Sequence, residues 1–464
     1  MFMFIHYFCK MEGKTVFNNQ KDDFKTIRDI LLKLRYDFYY YNISGFPNYY
    51  FNPYQLEENI LLKLENYNIE IQTVFKFLLL GYAMPLNEVS EDLKTIIIIL
   101  HKYNIVVNDG LFYKMNNYSL ISYSGYFFIV DMPSYYNNCN IQKTEVYIGI
   151  DTYRLSNIIP KLKNKRILDL CCGSGIQGIT ASEDNQVDFI EYNEKTIKIT
   201  KINIMLNDID CTNVYHSNLF EKIRDRKYDL ILSNPPFIPV PQNLDYPIAG
   251  DGGESGLETL KKIFKGLDEH LNDEGISIII GECLGDKYGH TILETELKKI
   301  FKKNYNIQLF LNSIIPKEIH AKIMSNIYSQ HINKDYDKKT IENKWLDLYC
   351  NLKMDSYYSF TLFIQKSKFN KIEVIKNYFD WNDEMKPIVL ENLQISLIND
   401  LYQVKNNNLV VSYIDKSMKS LLEKCNGKNK MSDLIDYNKI SAEAYQNVLN
   451  ILEEFYKNNL IKKG

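Results

Sequence analysis

No two cysteines of this chain stand in the Cys-x-x-Cys spacing that a zinc site or a dithiol centre needs, although there are eight of them. They occupy positions 9, 139, 171, 172, 211, 283, 350 and 425, and only Cys171 and Cys172 are neighbours. That pattern suggests neither a metal site nor a disulfide framework, and a reducing cytoplasm is the simplest setting. Apolar runs of membrane-spanning length are also missing, so no membrane partner is expected. The opening stretch Met1–Phe8 is apolar but short. It has neither a basic start nor a small-residue cleavage site, and is not read as a signal peptide. An excess of charge of one sign is lacking too, with a net charge of −3 and a pI near 6.2. This argues against a protein whose main business is gripping bare nucleic acid, while leaving room for a local basic patch. The lysines at 161, 163 and 165 with Arg166, and those at 299, 302 and 303, read as solvated faces before they read as phosphate contacts. Internal repeats and long low-complexity linkers are absent. What is present is ordinary globular composition, 45% hydrophobic and 24% charged over 464 residues, enough for a large core and two or three domains. The 36 tyrosines read as codon bias in an AT-rich genome.

The hydrophobic periodicity divides the chain in three. Residues 1–144 read as helices at Lys21–Tyr36, Ile69–Tyr82 and Val89–Tyr103, with Ser90 as an N-cap for the last. A hairpin follows, turning at Asn108-Asp109-Gly110, then a strand at Gly125–Met132 and a polar loop at 134–143. Helix, helix, hairpin is the outline of a winged helix. Residues 145–366 alternate strand and helix, with strands expected at Arg166–Leu170, Val187–Glu191, Thr212–His216, Tyr228–Ser233, Ile276–Gly281, Asn306–Ile315 and Ser359–Gln365. Such alternation specifies an α/β fold with a mostly parallel, doubly wound, Rossmann-like sheet of seven strands. Residues 316–356, containing Pro316, His320 and Trp345, form an insertion too long for a hairpin. Connections of that length often serve as lids or substrate loops. Residues 367–464 read as a small α+β, winged-helix-like domain: a strand at Leu409–Tyr413, a helix at Asp415–Cys425 stopped by Asn426-Gly427, and a helix capped by Ser441 and running to Asn458.

Three clusters carry chemistry. The strand ending at Ser233 runs into Asn234-Pro235-Pro236-Phe237. The two prolines lack N–H groups and fix φ, so the turn is stiff. It can aim the Asn234 side chain and the Pro235 carbonyl at one point as two acceptors, with the Phe237 ring beside them, which suits a planar –NH₂ group. The strand Ile167–Leu170, which contains Asp169, runs into Cys171-Cys172-Gly173-Ser174-Gly175, where glycines allow a ligand close to the backbone. Glu191, at the end of the next strand, can accept hydrogen bonds from both hydroxyls of a ribose. His320 reads as a structural histidine.

In this order and at these strand ends, the glycine turn, the acid and the Asn-Pro-Pro-Phe run resemble a class I S-adenosylmethionine-dependent methyltransferase. The resemblance is to the amino-methylating branch, which includes release-factor and ribosomal-protein glutamine methyltransferases, small-domain ribosomal RNA guanine methyltransferases and adenine-N6 enzymes. It is strong over about 145–290. Gly250-Asp251-Gly252-Gly253-Glu254-Ser255-Gly256-Leu257-Glu258 further resembles a segment of the glutamine methyltransferases.

The resemblance implies S-adenosyl-L-methionine as cofactor, and with no zinc spacing among the cysteines no metal is expected. Asp169, Cys171, Gly173, Ser174 and Gly175 would border its methionine end. Glu191 would hold its ribose, and Asn218 would meet the adenine amino group where relatives carry Asp. Asn234, with Pro235, Pro236 and Phe237, would be the catalytic centre and also border the cofactor. Gly149, Asp151 and Thr152 match a loop near the cofactor. The function expected is N-methylation of a planar amide or amino nitrogen, foremost a Gln- or Asn-type side chain in a protein or peptide. An amino group of guanine (N2) or adenine (N6) in ribosomal RNA or DNA is the alternative, and a small-molecule amine is a third.

Overall fold

In the computed structural model the described residues run from 20 to 462, apart from 45–56, 134–135, 137–144, 147, 211, 333–335, 379–384, 399–400, 407–408, 435–441 and 458–459. The apolar opening at 1–8, nearly all of the loop at 134–143, and Ser441 and Asn458 therefore lie outside the described residues. So do Cys9, Cys139 and Cys211.

The chain begins with helices α1 (20–33), α2 (Tyr36–Ser44), α3 (Glu57–Leu64), α4 (Ile69–Leu78) and α5 (Glu91–Lys102). Asn68 and Ser90 cap the last two by accepting the backbone N–H groups of Ile71 and Leu93, each worth about 1 kcal/mol. Hairpin β1 (Val106–Asn108) to β2 (Tyr113–Met115) turns at the Asn108-Asp109-Gly110 signal. The expected strand at 125–132 proves to be half of a second hairpin, β3 (Tyr118–Tyr123) and β4 (Tyr126–Asp131). β3 and β4 are buried almost throughout, so their residues do not alternate in the way that marks a half-exposed strand.

The central unit comprises α6 (Ile150–Asn157), β5 (Arg166–Leu170), α7 (Ile176–Thr180), β6 (Gln186–Glu191), α8 (Glu194–Leu206), β7 (Thr212–His216), β8 (Tyr228–Ser233), α9 (Glu258–His270), β9 (Leu271–Gly285), α10 (Ile292–Ile300), β10 (Tyr305–Pro316), α11 (Lys317–Ile327), α12 (Lys338–Asn351), β11 (Ser356–Lys366) and β12 (Lys371–Lys376). Eight strands make one sheet in the order β12-β10-β11-β9-β8-β5-β6-β7. The run β9-β8-β5-β6-β7 is parallel throughout, and β11 is antiparallel to both its neighbours. The seven expected strands are all there. The eighth, β12, pairs in parallel with β10 and carries the sheet beyond residue 366. It is half-exposed and flanked by lysines, so its apolar signal is too short and interrupted to stand out from a linker.

One face of the sheet and the N-terminal elements share a core in which Phe24, Leu31, Phe75, Phe127 and Ile129 join Ile167, Phe189, Leu230 and Ile278. β4 meets α8 through two asparagine amides. Asn203 accepts the Ile129 N–H at 2.8 Å and donates back to its carbonyl at 3.1 Å. Asn207 does the same for Phe127 at 2.8 and 2.7 Å. Buried backbone groups at the hairpin edge are thereby satisfied without another strand.

The last part has β13 (Ile388–Val389), a three-stranded antiparallel sheet of β14 (Leu393–Ile398), β15 (Leu401–Asn406) and β16 (Leu409–Ile414), helices α13 (Lys416–Lys424), α14 (Met431–Leu434) and α15 (Ala442–Lys457), and β17 (Ile461–Lys462) paired to β13. Among the described residues no helix is long and apolar enough to cross a membrane.

Candidate active site

Parallel register sets the site. Leu170 of β5 is aligned with Ile190 of β6 and with Ser233 of β8. The Ser233 hydroxyl donates to the Leu170 carbonyl at 2.7 Å, locking the two strand ends together. The residues that follow, Cys171 and Asn234, therefore begin adjacent turns. The strand order reverses between β5 and β8, and the crevice outside such a switch point is where open α/β sheets take ligands.

The first turn is built from left-handed backbone. Cys171, Gly173 and Gly175 have φ of 61°, 54° and 81°. At Gly173 an added Cβ would meet nothing within 4 Å, so this glycine faces open space. Its N–H donates to Glu191 Oε2 at 3.0 Å, and its carbonyl accepts the Thr200 hydroxyl at 2.6 Å. Asn203 also holds the Ser174 carbonyl, at 2.9 Å. Glu191 Oε1 takes the N–H groups of Tyr192 and Asn193 at 2.7 and 3.0 Å. Three backbone donors thus aim the carboxylate, and Oε2, with one bond, keeps acceptor capacity.

Asp169 lies beneath this turn rather than on its surface. It is buried, it accepts the Gly178 N–H at 2.8 Å, and burial raises its pKa to about 8. A Cβ at Gly178 would come within 2.3 Å of the Phe189 ring, so α7 can sit this close to β6 only with glycine there. Burial also pushes the thiols of Cys171 and Cys172 upward, which keeps both protonated and unreactive. Asn218 is exposed and donates its amide to Glu221 at 3.0 Å, which fixes the direction of its carbonyl oxygen.

In the second turn Asn234 donates through Nδ2 to Asp151 Oδ2 at 2.7 Å. A carboxylate can only accept, so Asp151 settles which way the Asn234 amide points. Asn234 Oδ1 is buried and accepts from no donor among the described residues. An acceptor left bare in this way costs about 1–3 kcal/mol, recovered when a donor reaches it. Pro235 is buried, and Pro236 and Phe237 are half-buried. The Phe237 ring would lie 3.2 Å from a Cβ at Gly281.

The segment 250–258 braces this turn. Ile238 donates to the Gly250 carbonyl and accepts from Gly252, both at 2.9 Å, and Val240 donates to Gly253 at 3.0 Å. Gly256, at φ +73°, packs so closely that a Cβ would sit 2.4 Å from the Phe237 carbonyl oxygen. The insertion grips the same loop, since Trp345 Nε1 donates to the Pro239 carbonyl at 2.9 Å.

Two participants escaped the sequence reading. Asp151 stood only as a loop match, and its bond to Asn234 spans residues with no local signal. Glu282 interrupts the apolar run of β9, and that lone acid was the available hint. Burial and the Asp151 charge raise its pKa to about 7, with Arg154 and Tyr357 opposing. His320 is buried and neutral, its pKa depressed by burial to about 3. It bonds the Tyr349 hydroxyl at 2.6 Å. Among the described residues no cluster of His, Cys, Asp and Glu could hold a metal ion.

Residues 148–305 match the family described as methyltransferase small domain. The chain is similar to a putative protein N5-glutamine methyltransferase of Methanocaldococcus jannaschii, 30% identical over 140 residues, which is 29% of this chain and 70% of that protein. It is similar to a release factor glutamine methyltransferase of Fusobacterium nucleatum, at 36% identity over 25% of this chain and 37% of that protein. A third relative is a ribosomal protein uL3 glutamine methyltransferase of Francisella tularensis, at 30% identity over 24% of this chain and 40% of that protein. The chain spans about two fifths of the length of these last two relatives.

Proposed function

The chain belongs to the class I S-adenosylmethionine-dependent methyltransferases, in the family of the protein-glutamine enzymes, and from that premise we propose that it methylates the amide nitrogen of a Gln- or Asn-type side chain in a protein or peptide. The observation that carries this reading is the Asn234 amide, oriented by Asp151 and left with a bare buried acceptor. An amide –NH₂ supplies the donor that this oxygen lacks.

The residues present fit the cofactor. Gly173 faces open space, and the Glu191 carboxylate beside it has acceptor capacity for ribose hydroxyls. Cys171, Gly173, Ser174 and Gly175 would border the methionine end with Asp169 supporting them from below, and the Asn218 carbonyl would take the adenine amino group. S-adenosyl-L-methionine, when bound, supplies an electrophilic methyl group.

The protein's part is to make a poor nucleophile usable. An amide nitrogen has its lone pair delocalised into the carbonyl. Accepting its two N–H groups on Asn234 Oδ1 and the Pro235 carbonyl orients that lone pair and favours a pyramidal nitrogen. As the nitrogen becomes positive, the same two acceptors bind its hydrogens more tightly than in the ground state. Phe237, seated on Gly281, would cover the flat face of the group. No strong general base is required, because the methylated nitrogen is acidic and releases its proton readily.

The test is transfer of labelled methyl groups from S-adenosylmethionine into a lysate, followed by digestion with protease or nuclease. Label that survives nuclease and is lost to protease is expected. Label lost to nuclease alone would overturn the reading in favour of a ribosomal RNA or DNA amino group.

A further inference from the structure

Resting on the amide reading above, we propose that the Tyr357 hydroxyl and the Glu282 carboxyl form a second polar subsite beside Asn234, which receives the carbonyl oxygen of a primary carboxamide while Asn234 holds its nitrogen. The argument begins with register. Ser233 of β8 pairs with Ile279 of β9, and Glu282 lies three residues further along β9, past the end of β8 and level with the Asn-Pro-Pro-Phe turn. On β11, Ser359 is opposite Glu282 and Tyr357 is opposite Leu284. Directly opposed residues share a face, and so do residues two apart, so Glu282 and Tyr357 project from the same side of the sheet.

That side carries α6. Asp151 and Arg154 of α6 act on the Glu282 carboxyl, and Asp151 is the residue that bonds Asn234. Asn234, Asp151, Glu282 and Tyr357 thus form a continuous polar run inside an apolar setting. At one end Asn234 Oδ1 is buried without a hydrogen-bond partner among the described residues. At the other the Tyr357 hydroxyl is buried, makes no hydrogen bond of ordinary geometry, and lies close enough to the Glu282 carboxyl to favour its charged form. Tyr357 is 1% exposed and its ring lies 3.6 Å from that of His320, so the side chain is held in place beside Glu282. A buried phenol without a well-formed hydrogen bond carries a standing penalty, and folded proteins rarely retain one without a ligand or a role.

The chemistry of the two ends is complementary to one group. Asn234 Oδ1 can only accept, whereas a phenol or a protonated carboxyl can donate. A primary carboxamide offers N–H donors and a carbonyl acceptor on the same carbon. A guanine amino group has a ring N–H on one side, which would need an acceptor at that place instead. The two cases have opposite pH signs. The groups facing Glu282 are Asp151 and Arg154 on α6, Tyr357 on β11, Tyr349 on α12 and Tyr246 in the loop after Phe237. Burial, with the Asp151 charge second, raises the carboxyl's pKa to about 7, so it donates below that pH and loses the donor above it.

The experiment uses the full chain with S-adenosylhomocysteine or S-adenosylmethionine and a short acetylated peptide containing one glutamine. Peptide binding is read by calorimetry, and methyl transfer is read between about pH 6 and pH 8. Tyr357→Phe should weaken peptide binding roughly tenfold, and the melting temperature measured beside it separates this loss from any loss of the hydroxyl's contact with the Glu282 carboxyl. Glu282→Gln, a neutral donor at every pH, should abolish the rise of KM above pH 7. If the wild type methylates the peptide and both variants bind it unchanged, the subsite is refuted and the amide reading stands. If KM instead falls as pH rises through 7, Glu282 acts as an acceptor and the subsite is refuted. If the wild type neither binds nor methylates the peptide, both are overturned. Should Tyr357→Phe fail to fold, the Glu282→Gln pH profile decides alone.

Discussion

The Asn234 amide and the Asp151 carboxylate, 83 residues apart in sequence, meet at 2.7 Å. This bond makes a reversible amide into a directed one. The Nδ2 end is committed to Asp151, so the oxygen end is the one left for a substrate hydrogen.

Removing that direction should slow the chemistry more than binding. Asp151→Asn leaves a group that can accept or donate, and Asn234 can then turn over. We expect kcat to fall roughly 10- to 100-fold, the equivalent of one charge-assisted hydrogen bond, with cofactor affinity within a few-fold. Asn234→Ala should abolish turnover. Unchanged kcat in either variant, measured with labelled cofactor, would contradict the assigned roles.

Glu191→Ala strands three backbone N–H groups as well as removing an acceptor for ribose. Cofactor affinity measured by calorimetry should drop by about 100-fold. Glu191→Gln, which keeps one acceptor oxygen, should fall between the variant and the wild type. Binding that is unaltered in Glu191→Ala would refute the ribose assignment.

Gly256→Ala tests the brace under the second turn. The new methyl would sit 2.4 Å from the Phe237 carbonyl at a φ of +73°. Loss of roughly 2 kcal/mol or more in denaturant unfolding is expected, together with lost activity. Full activity and stability would show that this packing is not needed.

Asp169 gives a pH signature in stability. Its folded pKa is raised to about 8 from an ordinary value of 3.8. Its contribution is therefore fully present below about pH 4 and is lost as pH rises through 8. Asp169→Asn, which can still accept from Gly178, should show a flatter stability profile over that window than the wild type. Equal slopes in the two proteins would disprove the burial effect.

Much of this was legible beforehand. Strands β5 to β8 are short apolar runs bounded by turn residues, and their order with the intervening helices dictates a parallel sheet. Gly173, Glu191 and Asn234 stand at strand ends that the register brings level. What escaped the sequence reading was long-range or locally silent. Hairpin β3–β4 is buried on both faces and so lacks alternation. Asp151 meets Asn234 only through tertiary folding. Glu282 and Tyr357 come together through an antiparallel pairing across the insertion, which no periodicity encodes. The glycines at 250–256 owe their identity to close packing: Gly256 against the Phe237 carbonyl, Gly252 against Gly256 and Gly253 against the Glu258 side chain.

The bond between the Ser233 hydroxyl and the Leu170 carbonyl fixes a length standard for the whole site. Loops before and after it can grow or shrink without moving Asn234 relative to the glycine turn. A single residue gained or lost between Tyr228 and Ser233 cannot, because it shifts the strand end by about 3.3 Å and turns every side chain of β8 to the opposite face. Lengthening tolerated at the insertion between β10 and β11 would be fatal in those six residues.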